Sequence, residues 1–433
     1  MKKNVLVFSG APYPAMEICS CIKFNMLFRP VAAASYSNHS EFFFDETVNN
    51  LPFVNADNFI EEFVKVIEEK NISYIIPTDD TIAVELTKHQ NELPAKAVCS
   101  PYKTALLCRH KKLTYEALKG EYFIPRVYHM EEIDGIVDYP VFVKPDDGQG
   151  SRGAAKAENR DELRKIQDLE NMVICEYLPG EEYTVDCFTD RFGKLIFCSP
   201  RSRSRIMNGI TARGYNVPCT AEFQEIIDII NRRITFRGYW FAQMKRDADG
   251  NLKLMELCCR FAGTFGVSKS LGANLPLMAL CDAAEMDTDV IVNDYNIVAD
   301  KTYIDRYQID YAYNTVYIDY DDTITFKNGS CVNPYVMSYL YQCQNLGRKI
   351  ILLSRHSYDH DNSLEDDMRL LSVPSSLFTE IHDLSWNEQK SNYIHEQKSI
   401  FIDNSFAERK KVHDTCNIPV FDVTNIDCLF DWR

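Results

Sequence analysis

The 433-residue chain carries 47 Lys and Arg against 63 Asp and Glu, a formal net charge of −16. That sign gives no electrostatic support to nucleic-acid binding and keeps a chain off anionic membranes. With 45% hydrophobic and 25% charged residues, the composition is globular, and the length exceeds what one hydrophobic core serves, so two or three domains are expected.

The first hundred residues alternate strand and helix. Residues 4–8 form a short apolar strand that stops at Gly10-Ala11-Pro12. The interruption suits a first strand better than a signal peptide, despite Met1-Lys2-Lys3. Residues 31–36 give a second strand. Asp57 caps a helix with Phe59, Ile60, Phe63 and Ile67 on one face, and residues 74–76 form a strand ending at Pro77-Thr78-Asp79-Asp80. Such alternation predicts a parallel, doubly wound sheet with ligands beyond the strand C-termini, where residues 9–12 and 78–80 lie. For any one residue there, a polar turn is an equally good account.

The middle third carries hairpin and glycine-turn signals, and a polar, tyrosine-rich stretch at 300–314 marks a boundary. Beyond it strict βα alternation returns, with Asn333-Pro334 as cap and first-turn proline, Gly347 as stop and 349–353 as strand. Domains are therefore expected at 1–100, 101–305 and 311–433. No run approaches 18 apolar residues, and a cytoplasmic location is expected. The fifteen cysteines are scattered; Cys19-Ser20-Cys21 and Cys258-Cys259 lack paired C-x-x-C spacing, so buried free thiols are expected. The nine histidines form no ligand-spaced pair.

Three segments carry nucleotide chemistry. Phe142-Val143-Lys144-Pro145 is a strand ending in a lysine, followed by Asp146-Asp147-Gly148-Gln149-Gly150-Ser151-Arg152-Gly153. Small residues let backbone N–H groups approach phosphate oxygens, though a glycine-rich loop alone is as often an ordinary turn. A strand at 173–175 then leads into Glu176-Tyr177-Leu178-Pro179-Gly180-Glu181-Glu182. Backbone groups there can pair with an adenine edge and a carboxylate can accept ribose hydroxyls; two exposed glutamates are the plainer account. Finally, Asp249-Gly250 is a two-residue hairpin signal. Folding about it sets Ala248 opposite Asn251, Met244 opposite Met255 and Gln243 opposite Glu256, the last pair close enough to share a cation. Cys258 points the same way as Glu256.

Together these segments resemble the ATP-grasp fold, in the branch similar to carbamoyl-phosphate synthetase and other carboxylate–amine ligases. The resemblance implies an N-terminal Rossmann-like domain before the ATP-grasp domain, with ATP and Mg2+ as cofactors. By it, Lys111 and Lys144 contact ATP phosphates, and the loop containing Gly148, Gly150, Ser151 and Gly153 is a lid. Glu176 and Leu178 hold adenine through the hinge and Glu182 the ribose; Gln243 and Glu256 hold magnesium, and Arg260 faces the transferred phosphate. Arg201, Arg203, Arg205 and Arg213 lie where the family faces its acceptor, so one or two are expected to bind an anionic substrate, a solvated basic loop being the alternative. The family's Glu-Ile-Asn-Pro-Arg-Phe reads Glu256-Leu257-Cys258-Cys259-Arg260-Phe261 here. A thiol is a poor partner for magnesium, which leaves three outcomes open: a water in its place, a lower metal affinity, or no ligase activity.

At the C-terminal end, a strand at 315–318 stops at Asp319-Tyr320-Asp321-Asp322-Thr323, a second at Ser354-Arg355 and a third at Asp403-Asn404, with Lys390 opening a helix-like segment between. A strand-end aspartate can be a nucleophile where a metal screens its charge, and a carboxylate two residues on can move protons. The order of these motifs resembles the haloacid dehalogenase superfamily, implying a Rossmann-like domain with no large cap. By that resemblance Asp319 is the nucleophile and Asp321 the general acid/base; Thr323, Ser354 and Lys390 hold the phosphoryl group, and Asp319, Asp321 and Asp403 surround magnesium. The expected substrates are a small carboxylate and an amine for the first part and a phosphorylated small molecule for the second, with no nucleic acid or membrane partner and homo-oligomers left open. The competing reading is a phosphatase whose first 300 residues bind nucleotide or substrate without catalysing.

Overall fold

The computed structural model describes residues 2–148, 152–207, 209–302, 306–327, 329–359 and 361–430. Its N-terminal sheet is parallel, in the order Thr47–Val48, Phe28–Ala33, Lys3–Phe8, Ile72–Pro77, Lys96–Ala97. Val5, Leu6, Val7 and Phe8 are all buried because helices cover both faces of the sheet, which turns a continuous apolar run into a central strand. The helix Phe59–Glu69 buries Phe59, Phe63 and Ile67, with Phe8 against both phenylalanines. Its N-cap is Asn58, without a side-chain cap bond, and not Asp57. The second strand runs Phe28–Ala33 instead of 31–36: Val31 to Ala33 pair with the first strand, and the chain bends away beyond.

The middle of the chain forms three antiparallel sheets. The first holds Val127–Tyr128, Met172–Glu176, Val141–Pro145 and Ala155–Ala157 in that order. The second runs Leu195–Ser202, Glu182–Thr189, Gly238–Arg246, Leu252–Cys258. Helix Ala221–Arg233 packs Phe223, Ile226, Ile227 and Ile230 on its inner face, where Trp240 stacks on Phe236 at 4.0 Å. The third joins Arg205–Met207, Ile210–Tyr215, Ile297–Asp300 and Arg306–Ile309.

The C-terminal sheet is again parallel, in the order Glu380–Asp383, Lys349–Ser354, Thr315–Ile318, Ser399–Ile402, Val420–Phe421. Asn333 caps the helix Pro334–Asn345 by accepting from Tyr335 N and Val336 N, and Gly347 adopts φ +69° just past its end. Between Thr323 and that helix, the described residues form a small hairpin, Thr325–Phe326 with Cys331–Val332.

The parts are packed together through a buried cation. Lys269, fully buried in the helix Gly266–Ser270, pairs with Glu17 of the helix Tyr13–Ile22 at 3.2 Å and with Asp427 near the C-terminus at 3.3 Å. Asn293 bonds both backbone groups of Val420, and Asn274 bridges Cys21 O and Thr424 Oγ1. All fifteen cysteines carry free thiols. Among the described residues, no helix is long and apolar enough to cross a membrane.

Candidate active sites

The first candidate site forms where the first two antiparallel sheets face the C-terminal ends of the N-terminal strands. Lys144, 8% exposed, donates to Tyr115 Oη at 2.9 Å and to Met255 O at 2.8 Å. Lys111 donates to Gly148 O at 2.9 Å and stands 3.8 Å from Glu256 Oε2. Both lysines of the sequence reading thus converge on the strand that bears Glu256. Asp146 fixes the start of the helix Lys111–Ala117, accepting from Lys112 N at 2.7 Å and meeting His110 Nδ1 at 2.8 Å. Gly153 has φ +73°, and a Cβ there would lie 3.0 Å from Pro145, so the turn demands glycine. Gly150 and Ser151 lie outside the described residues.

Gln243 does face Glu256, by a route different from the expected one. The loop closes through Asp247 N to Asn251 O at 2.9 Å, with Gly250 at φ +86°, so it is one residue longer than a two-residue turn and Ala248 does not pair with Asn251. That puts Met244 opposite Leu254 and not Met255; an irregularity between Gln243 and Met244 then restores the register. Two offsets cancel. Cys258 is buried, and burial raises its thiol well above its ordinary range, with Asp80 and Glu256 adding to the effect. It stays protonated, a poorer metal donor still.

Glu176 closes the hinge: its backbone N–H donates to Arg126 O and its carboxylate accepts from Arg126 N, both at 2.9 Å. Leu178 is buried beside it. Glu182 pairs with Arg203 at 2.6 Å, and Arg203 also donates to Gln243 Oε1 at 2.7 Å. Arg203 therefore bridges the expected ribose carboxylate and the expected metal ligand. Arg205 and Arg213 lie apart from it, both paired with Asp300. Arg201 is a core residue: wholly buried, it is bound to Asp186 at 2.8 Å and to Thr264.

Arg260 donates from Nε to Asp80 at 3.0 Å, across 180 residues. Burial pushes the Asp80 carboxyl upward and Arg260 pulls it back. The expected ligand-bearing end of the N-terminal sheet thus meets the arginine expected to face the phosphate. In the sequence Asp80 stands only as part of the 78–80 strand end, for which a polar turn is an equal account, and Tyr115 lies in no motif.

The second candidate site lies at the C-terminal edge of the last sheet. Asp319, directly after the central strand, is 2.5 Å from Lys390 Nζ, which is 2.7 Å from Asp403. Thr323 Oγ1 donates to Asp319 Oδ2 at 3.1 Å and accepts from Asn404 N at 3.0 Å. Ser354 Oγ and His356 Nδ1 hold the two oxygens of Asp321 at 3.3 and 2.8 Å. Burial pushes the Asp319 carboxyl up to about 7; Lys390 opposes this and the like charge of Asp403 adds to it. Burial works against the Lys390 ammonium too, yet two carboxylates outweigh it and hold it above its ordinary range. All six residues named from the sequence here come together. His356, which in the sequence reads as a surface or core residue, is buried, and folding sets it against Asp321, a contact that an isolated histidine after Ser354-Arg355 does not signal. Lys390 bridges the carboxylates of Asp319 and Asp403, oxygen donors of the kind a hard cation takes, but among the described residues no three such side chains are grouped to hold a metal ion.

Residues 168–303 match the family model described as ATP-grasp in the biosynthetic pathway with Ter operon. The fold is similar to the biotin carboxylase domain of 2-oxoglutarate carboxylase from Hydrogenobacter thermophilus, solved with MgADP, ADP and bicarbonate. That likeness has 18% identity and a TM-score of 0.58, and covers 70% of this chain and 74% of that one. N5-carboxyaminoimidazole synthetase from Staphylococcus aureus, complexed with ADP, is similar at 15% identity and TM-score 0.58, over 70% and 83% of the two chains. An L-amino acid ligase from Bacillus licheniformis aligns at 14% identity and TM-score 0.54, over 69% and 79%. No curated protein matches the sequence. The family model over residues 168–303 and the solved structures over about 70% of the chain both point to an ATP-grasp fold.

Proposed function

We propose that the chain is an ATP-dependent carboxylate–amine ligase joined to a phosphomonoester phosphatase. The observation that carries the first half is the convergence of Lys111, Lys144, Arg203 and Glu182 on the Gln243–Glu256 pair. Two cations with backbone-fixed positions suit a triphosphate, and the hinge at Glu176 and Leu178 suits an adenine. ATP would phosphorylate the carboxylate, and an amine would then displace phosphate from the acyl phosphate, with Arg260 stabilising charge on the phosphoryl group. Magnesium, held by Glu256 and Gln243, would supply further charge neutralisation. The solved relatives named above, complexed with ADP or with MgADP, lend support to both cofactors.

The second half rests on the Asp319–Lys390–Asp403 cluster with Thr323 and Ser354 beside it. Here Asp319 would attack the phosphorus, forming an aspartyl phosphate as the ester P–O bond breaks, and Asp321 would give the leaving oxygen its proton. Asp321, deprotonated, would then take a proton from the water that releases phosphate. The carboxylates of Asp319, Asp321 and Asp403 would hold magnesium. A domain of the haloacid dehalogenase type over 311–433 is the architecture this implies, following an ATP-grasp ligase over 101–305 and its N-terminal partner.

Cys258 favours a second reading, in which the first 300 residues bind nucleotide without turning it over. The test is ADP release with magnesium across a panel of amino acids and small carboxylic acids. In the ligase reading, acceptor-dependent release falls at least about 100-fold in Lys144→Ala, as expected on losing a charged phosphate contact. Thermal stabilisation by ATP with no Lys144-dependent turnover would support the binding module. Cys258→Asn gaining turnover would then identify the thiol as the cause.

A further inference from the structure

The N-terminal domain forms one wall of the approach to the second site. Phe24 packs edge-on against Phe326 of the small hairpin at 6.0 Å, and Met26 Sδ lies 3.8 Å from Asn404 Nδ2. Asn404 in turn bonds Thr323, which bonds Asp319. On the Met26 side opens a cavity of about 560 Å³, bordered by Lys2, Lys3, Met26, Leu27, Met286 and Lys327. That is the size of a small-molecule site. Met26, Leu27 and Met286 are each more than 40% exposed, so apolar surface is held open to solvent here. Lys3 is turned toward Tyr74 Oη at 3.4 Å, so Lys2 and Lys327 are the cations of the cavity. Burial lowers the Lys2 ammonium, Asp322 raises it and Lys327 lowers it again, which sets the three charges in one neighbourhood beside the Asp319 loop.

We propose that this cavity is the specificity pocket of the phosphatase and takes the leaving-group half of a phosphomonoester that bears a second negative charge. The inference rests on the phosphatase reading above. Among the described residues, only a small hairpin stands between the Asp319 loop and the helix Pro334–Asn345, and the N-terminal residues at 24–27 pack beside it. Met26 and Leu27 would cover the carbon skeleton, while Lys2 and Lys327 would receive the distal carboxylate or phosphate.

The test is hydrolysis by the full chain of p-nitrophenyl phosphate, which has no second charge, and of 3-phosphoglycerate and fructose 1,6-bisphosphate, which do. Wild type should prefer the doubly anionic probes. Lys2→Ala/Lys327→Ala should raise KM for them at least tenfold and leave p-nitrophenyl phosphate within twofold, and Lys2→Arg/Lys327→Arg should retain most of the preference. Asp319-dependent hydrolysis of all three probes that is indifferent to the lysines would overturn the pocket alone. No hydrolysis of any probe by wild type would overturn the pocket and the phosphatase reading together.

Discussion

Asp319→Asn is expected to abolish phosphomonoester hydrolysis, a fall in kcat on the order of 10⁴ or more. The amide has the shape of the carboxylate but cannot attack phosphorus. The cluster should otherwise persist, because Lys390 keeps Asp403 at 2.7 Å and Thr323 keeps its bond to Asn404. Melting temperature should therefore change little, and p-nitrophenyl phosphate turnover reports the loss. Retention of more than a tenth of wild-type activity would show that the nucleophile is another group. ATP-dependent chemistry in the same variant should be untouched, since the two sites share no residue.

The largest stability effect is expected from Lys269→Met. Its ammonium is fully buried and paired with Glu17 and Asp427, whose side chains are 10% and 27% exposed. Removing the cation leaves two carboxylates facing each other with little water, a loss of about 3–5 kcal/mol for a broken buried pair. Because the three charges come from three separate parts of the chain, melting should become less cooperative as well as lower. Adding Glu17→Gln should recover part of the loss, since the stranded carboxylate is its cause. A Lys269→Met protein melting within a degree or two of wild type would show that the three parts are held by their apolar contacts alone.

Much of the second site was legible because Asp319, Ser354 and Asp403 each sit at or just past the end of an apolar strand, and strand ends of a parallel sheet meet at one edge by construction. Asp319, Ser354 and Asp403 needed no knowledge of tertiary contact. Asp321's partner was not legible in the same way: His356 acquires meaning only through packing. The first site was legible in its lysines and in the Gln243–Glu256 pair. The pair was reached through a turn one residue too short, and the answer survived because the strand carries a compensating irregularity. The four arginines show the limit of composition. A run of like charges suggested one anionic substrate, yet folding gives Arg201 to the core, Arg203 to Glu182 and Gln243, and Arg205 and Arg213 to Asp300. The salt bridge from Arg260 to Asp80 was hidden for the same reason, since no local pattern couples residues 180 positions apart.

The parallel N-terminal sheet turns its two ends to different neighbours. Past the C-terminal ends of its strands, Asp80 meets Arg260; before the N-terminal ends, Lys2 and Met26 border the cavity beside the second candidate site. Six residues of strand separate them, roughly 20 Å of packed protein. A product of one proposed site would have that packed sheet between it and the other. If both proposed activities hold, joining them in one chain fixes their ratio at one to one and gives them a common lifetime.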